Sequence, residues 1–193
     1  MKEQIAAAIE EHIQKAGEFQ ATGIEQIAEA AEMIIQCLKQ GGRLYVCGNG
    51  GSSADAKHIA GELVGRFMHE RKGLPVIALT ANDSIITAVA NDYGYEAVFV
   101  RQVDALLCKG DVLWVLSTSG SSPNVIAAAE SARKKQARVL AFTGKKDSKL
   151  EKIADVCVCA GCETSPRSQE IHQLAYHIIC ELVEAAMMGG TKP

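Results

Sequence analysis

The chain has 193 residues, of which 48% are hydrophobic and 22% charged, and its formal net charge is −3 at pH 7. This length suits one well-cored domain, and the near-neutral charge gives no support for a nucleic-acid partner. No apolar run approaches the roughly 20 residues that span a bilayer, and the charged N-terminus lacks an apolar signal-peptide core, so we expect no membrane partner and no leader.

The seven cysteines indicate a reducing compartment. Most of them lie inside apolar runs, where a free thiol packs as a small hydrophobic group; Cys37, Cys47, Cys108 and Cys180 are examples. The run CVCAGC over residues 157–162 has no second thiol pair to complete a cysteine zinc site. The sequence therefore predicts a cytoplasmic protein with reduced cysteines.

Two helical patterns open the chain. Apolar residues keep helical spacing over 5–16 and over 24–38, and Gly41 and Gly42 end the second pattern. The sequence therefore predicts an N-terminal helical pair within about residues 1–40.

Strand-like and helix-like segments alternate over the rest of the chain. The predicted strands span 43–48, 74–80, 111–117, 137–144 and 155–160. The predicted helices span 53–68, 83–107 with a break near residues 93–94, 122–135, 147–154 and 166–188. Strands that are apolar on both faces and separated by helices form a parallel sheet covered on both sides. We expect an α/β fold with a flavodoxin-like five-stranded parallel sheet sandwiched by helices, and a single domain over residues 1–193.

The stretch LSTSGSSPN, over residues 116–124, places five hydroxyl side chains between a predicted strand and a predicted helix. In this kind of fold, ligands bind at the carboxyl ends of the strands. A helix N-terminus favours an anion, and hydroxyl groups add donors around it. We expect Ser117, Thr118, Ser119 and Ser122 to bind the phosphate of a monophosphate ester. The alternative is a turn in which one serine caps the helix.

A second strand-to-helix turn, CGNGGSSADA over residues 47–56, is rich in glycine. It lacks the third glycine of the dinucleotide-binding motif, and the chain has no GxxxxGK[ST] element, so neither NAD nor a nucleoside triphosphate is predicted. Asn49 offers an amide to a sugar hydroxyl, and Gly50 and Gly51 let the backbone approach a substrate. The alternative is a tight turn that requires positive φ.

Two predicted helices carry side chains that bind divalent metals. His58 and Glu62 are four residues apart and project from one helix face, and Gln169 and His177 share a face of the last helix. Together they form a candidate zinc site. The alternative is a surface His58–Glu62 pair and a core histidine at position 177. The remaining histidines are interpreted as ordinary surface or core residues: His12, His69 and His172.

Four segments together resemble those of sugar-isomerase (SIS) domain proteins. They are CGNGGSSADAKHIAGEL, LPVIALTANDSIITAVANDYGYEAVFVRQVDAL, GDVLWVLSTSGSSPNVIAAAESAR and RSQEIHQLAYHIICEL. The superfamily resemblance depends mainly on STSGSSPN. The glycine-rich turn with its His and Glu, NDYGYE, and the Gln and His of the last segment resemble the phosphoheptose isomerase family in particular. The likeness covers essentially the whole chain.

The resemblance implies a homotetramer that binds sedoheptulose 7-phosphate at subunit interfaces, with one Zn²⁺ per subunit. It implies substrate contacts by Asn49, Gly50, Gly51, Ser52, Glu62, Asn91, Asp92, Ser117, Thr118, Ser119, Ser122 and Gln169. It implies that the zinc ligands are His58, Glu62, Gln169 and His177, and that the catalytic groups are Glu62 and His177.

One segment departs from the family pattern. Residues 164–170 read TSPRSQE where relatives more often have TARIQE, so Pro166 and Ser168 are unexpected. Proline is tolerated in the first turn of a helix, and we therefore expect Gln169 still to point inward.

The implied reaction converts sedoheptulose 7-phosphate into D-glycero-D-manno-heptose 7-phosphate through an enediol, as the first step of ADP-heptose biosynthesis. It moves a proton between C1 and C2, which requires a base and an acid. We assign Glu62 as the base and His177 as the acid, and a zinc ion polarises the carbonyl.

Three alternatives stay open at the sequence level. They are a non-catalytic SIS protein that binds the replication initiator DnaA, a domain that senses a sugar phosphate without turnover, and a SIS isomerase for another ketose phosphate. The initiator-binding relative lacks the histidine that corresponds to His177, so the presence of His177 favours an isomerase.

Overall fold

Helices and strands alternate along residues 1–188, the part of the chain that the computed structural model describes. The helices are α1 Lys2–Lys39, α2 Gly51–Val64, α3 Asp83–Tyr93, α4 Ala97–Leu106, α5 Pro123–Lys134, α6 Lys149–Ile153 and α7 Ser165–Met187. The strands are β1 Leu44–Gly48, β2 Val76–Ala78, β3 Val112–Ser117, β4 Arg138–Thr143 and β5 Val156–Cys159. All five predicted strands are confirmed. The predicted domain also includes residues 189–193, which lie outside the described range.

The five strands form one parallel sheet in the order β2-β1-β3-β4-β5, which confirms the predicted flavodoxin-like fold. From β1 the chain crosses to β2 on one side, and β3 then pairs with β1 on the other side. The strand order therefore reverses between β1 and β3. In the β1–β3 register Gly48 is opposite Leu116, so the two strands end side by side. A crevice opens at such a reversal, and it positions the site.

Two apolar layers cover the sheet. Val46 and Trp114 pack with α1, α2 and α7, whereas Tyr45 and Leu113 pack with α4 and α5 on the other face. All four side chains are fully buried. Truncating a buried tryptophan to alanine typically costs about 3–5 kcal/mol, so these layers hold the strand ends in place.

The N-terminal segment forms one helix, so the predicted helical pair is wrong. Helix α1 runs unbroken from Lys2 to Lys39. Gly17 and Gly23 lower the helix propensity, but no proline interrupts the segment. Gly23 is buried against Phe19, and a Cβ at position 23 would lie 2.5 Å from the Phe19 ring. Close packing therefore explains this glycine, and it does not mark a helix end.

Several apolar surfaces are uncovered in the single chain. Among the described residues, α3 contributes no buried side chain, and Ile5, Ile9 and Ile13 of α1 are each more than half exposed. An apolar groove of about 330 Å³ runs between α1 and α7 and includes Ile24 and Leu174. Across residues 1–188 we find no helix with the length and apolar character needed to cross a bilayer.

His172 is a core residue, as interpreted from the sequence. It is fully buried on α7, and its Nε2 donates a hydrogen bond of 3.0 Å to the carbonyl of Thr143. Burial lowers the pKa of His172 from 6.5 to about 4, against the opposing effect of this hydrogen bond. The imidazole is therefore neutral in the folded protein at neutral pH.

Acidification should destabilise the protein in part through His172. Between pH 6.5 and about 4 the unfolded chain binds a proton at this position and the folded chain does not, so stability present above pH 6.5 is lost as the pH falls. His172→Gln keeps an N–H donor but cannot titrate. Its loss of unfolding free energy between pH 7 and 5 should be smaller than that of the wild type by about 2 kcal/mol.

Urea unfolding at both pH values, in the presence of a chelator, measures this difference. His69→Gln is the control, because it makes the same substitution at an exposed position. Equal pH dependence in His172→Gln and the wild type would contradict the assignment.

Candidate active site

A polar pocket of about 250 Å³ lies where β1 and β3 end. It is lined by Asn49, Gly50, Gly51, Ser52, Leu116, Ser117, Thr118, Ser122, Ser165 and Gln169. Most of the predicted substrate-binding residues therefore meet in one place. The place is the point of strand-order reversal, where this fold binds ligands.

The hydroxyl-rich loop turns most of its predicted side chains towards this pocket. Ser117, Thr118 and Ser122 line it, and Oγ of Ser117 lies 3.0 Å from Oγ of Ser122. Ser119 is exposed outside the pocket lining, and its Oγ accepts a hydrogen bond from the Ser121 backbone N–H. Ser122 precedes α5 but makes no capping hydrogen bond with its side chain. The simple capping alternative is therefore wrong for Ser122.

Three helices begin at the pocket. Gly51 starts α2, Ser122 precedes α5 and Ser165 starts α7, and all three residues line the cavity. Each helix N-terminus carries unpaired N–H groups and roughly half a positive charge. Among residues 1–188, no lysine or arginine belongs to the lining. The pocket therefore suits a compact anion such as a phosphate monoester.

Ser165 is a pocket residue that the sequence reasoning missed. Its Oγ lies 3.0 Å from Oγ1 of Thr118. The sequence did contain a signal, because a Ser-Pro pair opens α7 at 165–166 just as Ser122 and Pro123 open α5.

Gln169 reaches the pocket despite the unusual residues before it. Pro166 occupies the first turn of α7, where no N–H partner is needed, and buried Ser168 donates a 2.9 Å hydrogen bond to the carbonyl of Thr164. Gly51 makes room for the amide, because a Cβ there would lie 2.4 Å from Nε2 of Gln169.

Asn49 is fixed by two residues that the sequence reasoning did not single out. It exchanges two hydrogen bonds with the buried side chain of Asn124, at 2.8 and 2.9 Å. The Tyr95 hydroxyl donates a third, of 3.0 Å, to Oδ1 of Asn49. The register of β1 and β3 brings these loops together, and no local sequence pattern reports it.

Asn91 and Asp92 lie apart from the pocket lining. They are exposed near the end of α3, where Nδ2 of Asn91 donates a 2.8 Å hydrogen bond to Oδ1 of Asp92. The single chain does not bring them to the pocket, so their substrate contact stays a prediction.

Three of the four predicted zinc ligands form a cluster. Donor atoms of His58, Glu62 and His177 all lie within 4.8 Å of one another, and Nε2 of His58 is 2.9 Å from Oε1 of Glu62. Burial lowers the pKa of His177, and His58 lowers it further, while Glu62 opposes the shift. A neutral His177 keeps a lone pair for a metal or a proton. The alternative of a core histidine at position 177 is wrong.

The donor chemistry of this cluster fits zinc. Two imidazoles and one carboxylate are a common ligand set for this ion when it keeps an open position. Gln169 lies elsewhere in the single chain, since eight residues of helix separate it from His177, about 12 Å along the axis.

A buried carboxylate holds the loop that follows α2. Glu184 is almost fully buried and accepts hydrogen bonds of 2.7–2.9 Å from the backbone N–H groups of residues 67–69. Nε of Arg71 lies 3.2 Å from the same carboxylate. Burial acts to raise the pKa of Glu184, but these donors and Arg71 outweigh it and lower the pKa. The loop is therefore tied to α7 by an ionised side chain.

This loop supports the metal-ligand cluster. Arg71 donates a 2.9 Å hydrogen bond to the carbonyl of Glu62, at the end of α2. Phe67 places its ring 5.7 Å from the ring of His177, centroid to centroid. No local sequence pattern indicates this support, because Glu184 lies more than one hundred residues from the loop that it holds.

Comparison with known proteins identifies the family. The SIS domain family matches residues 3–144. A phosphoheptose isomerase from Helicobacter hepaticus is 44% identical over 185 residues, which cover 96% of this chain and 94% of that protein. One from Geotalea uraniireducens is 43% identical over 98% of this chain and 100% of that protein.

Solved structures agree. The phosphoheptose isomerase from Neisseria gonorrhoeae matches with a TM-score of 0.90 and 39% identity, over 95% of this chain and 98% of that one. The structure from Francisella tularensis matches with a TM-score of 0.92 and 35% identity, over 95% and 97%. The chain therefore belongs to the SIS domain family and, within it, to the phosphoheptose isomerases.

Proposed function

We propose that this chain is an aldose–ketose isomerase that converts sedoheptulose 7-phosphate into D-glycero-D-manno-heptose 7-phosphate. One observation carries the proposal. The anion pocket and the carboxylate–imidazole cluster both lie along the α2–α7 pair, at Gly51 and Gln169 and at Glu62 and His177. About two to three helical turns separate the two sites along these helices. An open-chain heptose phosphate likewise carries its phosphate and its C1–C2 end at opposite ends of the carbon chain.

The pocket serves orientation in this mechanism. The hydroxyls of Ser117, Thr118 and Ser122 and the three helix N-termini hold the phosphate, while Asn49 and Gln169 face the sugar. The same proposal gives a phosphate contact to Ser119 and substrate contacts to the remaining family positions: Gly50, Gly51, Ser52, Asn91 and Asp92.

Glu62 and His177 move the protons. The Glu62 carboxylate removes the proton from C1, the electrons of that bond form the C1–C2 double bond, and His177 protonates the oxygen on C2 to give the enediol. Glu62 then returns its proton to C2, and His177 accepts the proton of the C1 hydroxyl as the aldehyde forms. Positioned proton transfer of this kind contributes roughly 10²–10⁴ in rate.

We further propose one zinc ion per subunit, held by His58, Glu62 and His177 and completed by Gln169. When bound, zinc supplies Lewis acidity that polarises the substrate carbonyl. Support comes from the ligand chemistry of the three clustered side chains. Because Gln169 lies about two turns away in one chain, ligation by all four requires a change in side-chain position or a second subunit.

A homotetramer with sites at subunit interfaces is part of the proposal. The uncovered α3, the exposed isoleucines of α1 and the α1–α7 groove supply apolar surface for assembly. Asn91 and Asp92 lie on such a surface, where a second copy would bring them to a pocket.

The cluster also separates the isomerase from the alternatives. A DnaA-binding or phosphate-sensing SIS protein needs the phosphate pocket but no paired carboxylate and imidazole. Here Glu62 and His177 meet across two helices, which favours catalysis. A cytoplasmic role at the first step of ADP-heptose formation follows from the proposed reaction, and the seven free thiols suit that compartment.

Incubation with sedoheptulose 7-phosphate in deuterated water should place deuterium at C2 of an aldose product. Glu62→Gln should reduce kcat at least 10²-fold and leave substrate binding largely intact, because it removes the base and keeps the shape. Product analysis by NMR measures the deuterium incorporation and the rate of turnover. Glu130→Gln, an exposed carboxylate on α5, is the control and should turn over normally. Undiminished exchange in Glu62→Gln would overturn the base assignment.

Ser122→Ala should raise KM about tenfold or more, since it removes a hydrogen bond to a charged phosphate. Ser121→Ala is a matched control on the same loop, because Ser121 is exposed and does not line the pocket. Steady-state kinetics compare the two variants. Equal KM values for both would show that the loop has no phosphate-binding role.

Light scattering should give a mass near four times 20.6 kDa for the purified protein. Ile9→Lys combined with Ile13→Lys should lower that mass, because it places charges on exposed apolar surface of α1. Leu106→Lys is the control, because it places the same charge on an exposed apolar residue elsewhere, at the end of α4. A monomeric wild type would contradict the assembly.

A further inference from the structure

Tyr176 joins the two histidines of the metal-ligand cluster. It is fully buried on α7, and its hydroxyl lies 2.9 Å from Nδ1 of His58. Its ring also meets the rings of His58 and His177 edge to face, with centroids 5.5 and 4.7 Å away. A phenylalanine would supply the same ring packing, so the hydroxyl contact needs a separate explanation.

Asp55 is a second polar residue that interacts with Tyr176. It lies one turn before His58 on α2, and its Oδ2 is buried with no hydrogen-bond partner in the described part of the chain. Burial raises the pKa of Asp55, and interactions with His58 and Tyr176 offset part of the shift. Oδ2 of Asp55 is therefore a buried acceptor that is free to receive a hydrogen bond from the Tyr176 hydroxyl.

The protonation of a metal-bound imidazole determines which of these groups donates each hydrogen bond and which accepts it. Nδ1 of His58 faces Tyr176, so Nε2, which lies 2.9 Å from Glu62, is the nitrogen available to a metal. When Nε2 gives its lone pair to a metal, the ring proton resides on Nδ1 and requires an acceptor. The Tyr176 oxygen is placed to accept it, and the Tyr176 hydroxyl can then donate to Asp55, whose buried Oδ2 makes no hydrogen bond within the described residues.

We propose that Tyr176, backed by Asp55, is a positioning residue that orients His58 for metal binding through Nε2. This inference rests on the proposed zinc site. Outer partners of this kind fix the tautomer and the ring orientation of a ligating histidine, and their loss typically weakens metal affinity about 10–100-fold. Neither residue belongs to the proposed ligand set or to the lining of the polar pocket, so both act through His58.

The first test compares Tyr176→Phe with Tyr45→Phe in the full-length protein. Both tyrosines are fully buried and each loses one hydroxyl, but the Tyr45 hydroxyl donates to the carbonyl of Leu106 on the opposite face of the sheet. Zinc affinity is measured by competition with a chromophoric chelator, after circular dichroism has checked folding. Tyr176→Phe should bind zinc about 10–100-fold more weakly than the wild type, and Tyr45→Phe should bind as the wild type does. Equal affinity in the two variants would overturn the proposal.

Nitrogen NMR of the His58 ring separates this inference from the proposed function. In the zinc-loaded wild type, Nδ1 should carry a slowly exchanging proton, and that signal should disappear in Tyr176→Phe. If the wild type binds no zinc, the proposed zinc site is refuted. The orientation of His58 by Tyr176 is then tested on spectra of the zinc-free protein. Nδ1 shifts that respond to Tyr176→Phe support orientation of His58 by the hydroxyl, and unchanged shifts refute it.

A double-mutant cycle tests the place of Asp55. If Asp55 acts through the tyrosine hydroxyl, Asp55→Asn should weaken zinc binding in the wild-type background and have no further effect in Tyr176→Phe. Equal losses in both backgrounds would show that Asp55 acts on the site independently, and would remove it from the proposed chain.

Discussion

The parallel pairing of β1 with β3 is the constraint on which the site depends. Its register ends the two strands together, so the glycine-rich turn and the hydroxyl-rich loop start from adjacent points. The reciprocal amide pair of Asn49 and Asn124 then ties the two turns across the crevice. Because the helices that follow begin at the same edge, their N-termini converge without any cationic side chain. The strand order and the positions of the helix N-termini therefore create the electrostatic attraction for an anion.

The packing of α2 against α7 adds the second half of the site. The same pair of helices that contributes Gly51 and Gln169 to the pocket carries Glu62 and His177 further along. Glu184 reinforces this arrangement by tying the loop after α2 to α7. The groups proposed for phosphate binding and for proton transfer therefore lie on the same pair of helices, and the distance between them is set by helical rise.

The sequence correctly predicted the features that depend on residues close together in the chain. The strands are apolar on both faces, and the spacing of His58 and Glu62 on one helix face followed from helical periodicity. Long-range packing decided the rest. Gly23 lowers the helix propensity of its segment, but it packs against Phe19 within an unbroken helix. Tyr176 contacts His58, which is 118 residues away in the sequence. Asn91 and Asp92 show a different limit, because the single chain leaves them exposed and away from the pocket, and the proposed contact with a second subunit is not defined within one chain.

The uncharged lining of the pocket that we propose binds phosphate has a consequence for how ligand binding depends on pH. None of the residues described around that cavity titrates near neutral pH. Its hydrogen-bond donors therefore stay the same while the ligand itself changes, since a phosphate monoester takes up its second proton near a pKa of about 6. The pH dependence of sugar-phosphate binding in the proposed site therefore follows the ionisation of the ligand and not that of the protein.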